Sequence, residues 1–112
     1  MPRKFEREVF SISVAAAGLT HDFTVPDSFF RSKVMQMTLI TPDYTTATPT
    51  TTISFITASG VTYFTDSARA ENTTTQVSLG SIVMHNGDII RATLSGAAGA
   101  ITTITVILHV EE

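Results

Sequence analysis

Ile101-Thr102-Thr103-Ile104-Thr105-Val106-Ile107-Leu108-His109-Val110 alternates with a period of two. Successive side chains of a strand point to opposite faces. Ile104, Val106, Leu108 and Val110 therefore share one face, and Thr103, Thr105, Ile107 and His109 share the other. A strand this rich in apolar residues cannot be covered by one flat sheet, so a second layer is required. Working back from it, Ser95–Ala100 reads as a small Gly/Ala loop and Ile89–Leu94 as another strand. His85-Asn86-Gly87-Asp88 is the strongest turn signal in the chain, since Asn-Gly suits the positive φ values of a type I′ turn.

The same period recurs upstream. Val9–Val14 puts Phe10, Ile12 and Val14 inward. Asp22–Val25 is short and ends at Pro26. Phe29-Phe30 reads as an apolar plug, and Val34–Ile40 alternates Met35, Met37 and Leu39 against Gln36 and Thr38. Thr41–Thr51, holding Pro42 and Pro49, reads as a long extended loop. Thr52–Thr57 and Val61–Thr65 flank Ala58-Ser59-Gly60 as a hairpin. Asp66–Asn72 reads as a polar loop with room for one helical turn. Thr74–Leu79 and Ser81–Met84 read as strands separated by Gly80. About eight strands at intervals of roughly 8 to 12 residues predict an all-β, antiparallel β-sandwich, either a jelly roll or a Greek key. The expected organisation is an N-terminal arm over residues 1–8 and a single domain over residues 9–112.

Composition narrows the function classes. The chain has 112 residues and no cysteine, so it has neither a disulfide framework nor a Cys-based zinc site. The net charge is −3 and charged residues are 15% of the chain, against an average of about 25%. A basic footprint for nucleic acid is absent. No apolar run approaches the ~18 residues of a membrane helix, and the charged opening is unlike a signal peptide. The expectation is no nucleic acid and no membrane partner. About a sixth of the chain is Thr. A neutral Thr/Ser surface suits lasting contact with neighbours, because few charges need desolvating.

No residue set suggests catalysis. His21, His85 and His109 lack ligand spacing for a metal. His21 and His85 read as surface turn residues, and His109 as partly buried or interfacial. Asp22, Asp27, Asp43, Asp66 and Asp88 read as caps of turns and strand ends. No Gly-x-Ser-x-Gly elbow or phosphate loop occurs. The expectation is a non-enzyme with no cofactor, no metal and no catalytic residue. Tyr44 beside Asp43 is the best candidate for stacking a sugar. The partner-contact candidates are Arg3, Lys4 and Phe5 in the arm, and Asp43, Tyr44 and Thr46 in the long loop.

The last third of the chain carries a resemblance. Gly87-Asp88-Ile89-Ile90-Arg91-Ala92-Thr93-Leu94-Ser95-Gly96, then a Gly/Ala loop, then Thr102–Val110, resembles the final hairpin of small virion proteins of tailed bacteriophages. The resemblance implies a β-sandwich or jelly roll that decorates a capsid or builds a tail part, commonly as a trimer. It implies a structural virion protein, made in host cytoplasm, with a major capsid protein or other virion proteins as partners. The most specific expectation is a capsid decoration or cement protein. The alternative is a tail-fibre or carbohydrate-binding recognition module.

Overall fold

The computed structural model describes residues 5–27, 31–44 and 48–111, and at residues 5, 6, 31 and 32 it describes the backbone alone. Eight strands follow in chain order: β1 (Phe5–Val14), β2 (Thr20–Thr24), β3 (Arg31–Ile40), β4 (Thr51–Ile56), β5 (Thr62–Arg69), β6 (Thr74–His85), β7 (Ile89–Leu94) and β8 (Thr102–Glu111). They form two four-stranded antiparallel sheets, ordered β1-β8-β3-β6 and β2-β7-β4-β5. Chain neighbours alternate between the sheets, except at the β4–β5 hairpin. This interleaved order is that of an eight-stranded jelly roll with two Greek keys, so strand order decides between the two expected sandwiches.

The alternation in each strand explains the layering. Phe10, Ile12 and Val14 of β1, Ile104, Val106, Leu108 and Val110 of β8, and Val34, Met37 and Leu39 of β3 are all buried between the sheets. They meet Ile53 and Phe55 of β4 and Ile90, Ala92 and Leu94 of β7. Phe10 stacks on Phe23 across the layers, with ring centroids 5.0 Å apart. β8 lies between β1 and β3 over most of its length. Its outer face, with Thr103, Thr105, Ile107 and His109, is exposed or half-buried. There Nε2 of His109 shares a 3.1 Å hydrogen bond with the Thr38 hydroxyl.

Several boundaries differ from the sequence reading. β1 starts inside the expected arm: Phe5–Glu8 pairs with Leu108–Glu111. Those residues complete a sheet edge, because β8 needs a partner along its whole length. β5 runs on through the expected polar loop to Arg69. Asp66 points inward and is buried, and the Arg69 guanidinium grips it with bonds of 2.9 and 2.6 Å. Polar composition reads as a loop, whereas here one ion pair lets it stay in a strand. Asp22 likewise sits within β2 and pairs with Arg91 on the outer face, rather than capping a turn. Gly80 does not end β6. It sits at φ +74° where the β3–β6 register shifts, so the strand bulges and continues.

Two further differences concern turns. His85-Asn86-Gly87-Asp88 does turn, with the Asp88 N–H donating to the His85 carbonyl at 3.2 Å. Gly87 has φ +87° while Asn86 is not among the positive-φ residues, so the turn is not type I′. Nor does it close a hairpin: β6 and β7 lie in opposite sheets. The same holds for β7 and β8. The closing hairpin on which the phage resemblance was drawn is therefore two strands of different layers, joined over one end. Phe29 and Phe30 lie outside the described residues.

Candidate functional site

The loops β1–β2 (residues 15–19), β3–β4 (of which 41–44 and 48–50 are described), β5–β6 (70–73) and β7–β8 (95–101) emerge at one end of the sandwich. Hydrogen bonds tie them into a continuous rim. Gly99 N–H donates to the Ala16 carbonyl at 3.0 Å, and Leu94 N–H to that of Leu19 at 2.8 Å. Ser95 N–H donates to the Thr50 carbonyl, and Thr50 N–H returns a bond to the Ser95 hydroxyl. Asn72 N–H donates to the Pro42 carbonyl, and Thr41 N–H to that of Thr73. The Thr41 hydroxyl adds a bond to the Ala70 carbonyl at 2.8 Å. Loops on a rigid scaffold are the usual place for recognition.

The rim has two unlike corners. One carries Asp43 and Glu71, and the Glu71 carboxylate accepts the Tyr44 N–H at 2.9 Å. The other is made from Ala15, Ala16, Ala17, Gly18 and Leu19 together with Ala97, Gly99, Ala100 and Ile101, all exposed. Neither of its loops holds a charged residue. Leu19 is 49% exposed and Ile101 84%. A soluble surface scatters single apolar residues without consequence, whereas a grouped apolar patch marks a contact. The sequence carried part of this signal, since period two puts Ile101 on the outer face of β8. What it could not show was that the 15–19 loop folds beside it.

The expected site residues fare differently. Arg3, Lys4 and Thr46 lie outside the described residues. The Phe5 backbone is in β1. Asp43 is exposed at the rim. Tyr44 is a correction: its ring is 1% exposed, and its hydroxyl shares a 3.2 Å bond with that of buried Thr51. Burial pushes its phenol up from the ordinary value. A ring enclosed in this way anchors the long loop to the core and offers no stacking face for a sugar. His21 is a second correction. It is buried on the inner side of β2, where its Nε2 has no hydrogen-bond partner among the described residues. His85 is exposed, as expected of a turn residue.

The buried acids are committed to local structure. Asp88 accepts the Tyr63 hydroxyl at 2.7 Å and the His85 N–H at 3.1 Å. Burial first, and then the Asp88 carboxylate, raise the Tyr63 phenol far above its ordinary value. Asp66 is held by Arg69. The hydrogen bond from Arg91 lowers the carboxyl of Asp22 below its ordinary value. Among the described residues no three of His, Asp and Glu converge as metal ligands would, and no helix is long and apolar enough to cross a membrane. No family model and no curated protein matches the chain.

Proposed function

We propose that this chain is a non-enzymatic structural protein of a virion, a decoration or cement protein that seats its loop end on neighbouring shell subunits. The carrying observation is the charge-free corner where Leu19 and Ile101 stand exposed among five alanines. Such a corner loses little by desolvation and gains by apolar burial. Jelly rolls recur among viral capsid domains and lectins, but a fold by itself does not set a function. What supports the role is the corner, together with the low charge of the chain, 15% of its residues. In an array, many weak contacts of this kind add by avidity. Binding to the assembled shell and not to its free subunits would stabilise the shell by mass action.

The test is binding to particles. The purified chain should co-sediment with shells of the virus that encodes it, and Leu19→Asp with Ile101→Asp should abolish binding while leaving the melting temperature unchanged. Wild-type chain that stays in the supernatant would overturn the proposal. The alternative of a tail-fibre or sugar-binding module draws on the same fold, but with Tyr44 enclosed it loses the ring on which it was built.

A further inference from the structure

The two sheets have four edge strands, β1, β6, β2 and β5. An edge strand presents unpaired N–H and C=O groups that invite another strand, and proteins normally blunt it. Three edges here are blunted. β1 carries Glu6, Arg7 and Glu8 in its first half. β2 is five residues long and bears Asp22 paired to Arg91. β5 has inward-pointing Asp66, two register shifts against β4, and Ala68 at φ +56°. β6 differs. It is 12 residues long, Thr-Thr-Gln-Val-Ser-Leu-Gly-Ser-Ile-Val-Met-His, with no Asp, Glu, Lys or Arg.

The phase of the β3–β6 ladder shows which groups are free. The Thr41 N–H donates to the Thr73 carbonyl at 2.9 Å, one step beyond the Ile40–Thr74 and Leu39–Thr75 partners. Hydrogen-bonded pairs alternate along an antiparallel ladder. Thr73, Thr75 and Val77 therefore direct their N–H and C=O groups toward β3, and Thr74, Gln76 and Ser78 direct theirs outward. The straight run ends after Ser78, where the Gly80 bulge begins. Its midpoint is Gln76.

We infer that β6 pairs antiparallel with β6 of a second copy, about a two-fold axis at Gln76, joining two four-stranded sheets into one. Gln76 then faces Gln76 of the other copy, and Thr74 faces its Ser78. Every outward backbone group of the straight run finds a partner. The occupant is a second copy because the run is self-complementary: hydroxyl meets hydroxyl, amide meets amide, and no like charges oppose each other. The Gln36 amide already donates to the Gln76 carbonyl oxygen at 3.0 Å, which leaves the Gln76 NH₂ to donate to its mate and form a Gln ladder. On the inner side Thr75 meets Val77 of the other copy. Val77 is half-buried at the core margin, and the pairing covers it further. The contact is isologous and closes at two copies, in place of the trimer that the phage resemblance implies.

The absence of native cysteine gives a clean test. Residues in a hydrogen-bonded antiparallel pair have Cα atoms about 5.5 Å apart, within disulfide reach. Gln76→Cys should cross-link into a covalent dimer under mild oxidation, while Ser13→Cys on the exposed face of edge strand β1 should not. Sedimentation of the wild type should give twice the 12.0 kDa chain mass, and Gln76→Lys should return it to monomer. Hydrogen exchange on the wild type covers the case in which the Lys variant fails to fold. The Thr74, Gln76 and Ser78 amides should gain protection as concentration rises. A wild type that is monomeric with these amides unprotected overturns the inference. So does a Gln76→Cys variant that cross-links no faster than Ser13→Cys.

Discussion

Replacing Tyr44 with Ala should remove a large share of the domain's stability. Its ring is among the largest fully buried side chains, at 1% exposure. Truncating a buried aromatic ring to Ala costs about 3–5 kcal/mol, from lost transfer energy and the cavity left behind. A domain of this kind holds only about 5–15 kcal/mol in total. The hydroxyl can be separated from the ring. Tyr44→Phe keeps the ring but leaves the Thr51 hydroxyl, 0% exposed, without its 3.2 Å partner. An unsatisfied buried group of this kind costs about 1–2 kcal/mol. Adding Thr51→Val removes the orphan, so the double variant should recover most of that loss. Urea denaturation followed by far-UV circular dichroism measures Tyr44→Ala and the four proteins of the cycle (wild type, Tyr44→Phe, Thr51→Val and the double variant), which gives the coupling. A Tyr44→Ala cost below about 1 kcal/mol would place the ring at the surface, and would return it to the list of sugar-stacking candidates.

Other outcomes follow from the same geometry. His21→Leu replaces a buried ring whose Nε2 lacks a partner. Stability in urea should stay level or rise by about 1 kcal/mol, and a fall of more than ~2 kcal/mol would show that His21 is satisfied. The Tyr63 phenol is raised in the folded protein, so its contribution is complete below the unfolded value of about 10 and is lost as pH rises above it. Above that point the Tyr63 contribution should fall with a slope that approaches about 1.4 kcal/mol per pH unit. Tyr63→Phe should flatten the slope, though not fully, because the Tyr44 phenol is raised as well. Gly87→Ala, at φ +87° in the β6–β7 turn, should cost about 1 kcal/mol by thermal melting.

The fold was largely legible because period-two patterning is a direct image of the pleat. Phe10, Ile12 and Val14, and Ile104 through Val110, announce the face they bury. What misled was polarity taken as a loop signal. Asp66 and Arg69 look like a surface excursion until their mutual pairing lets one of them point inward. Likewise the charged opening looks like a free arm, yet from Phe5 on it is the strand that β8 requires. Tyr44 was read from its neighbours Pro42 and Asp43. Nothing local shows that its hydroxyl reaches Thr51, seven residues on. The assembly of the apolar corner from two loops, and the bare β6 edge, were illegible for a related reason. Each is a property of strand order, and strand order comes from long-range pairing that the sequence pattern does not encode.

The most direct test of the proposed role is quantitative mass spectrometry of virus particles purified from the source of the chain. A cement role predicts the chain in fixed ratio to the shell subunit, released together with a loss of thermal resistance and restored when it is added back. Particles that lack the chain, or that keep their full resistance without it, would contradict that role.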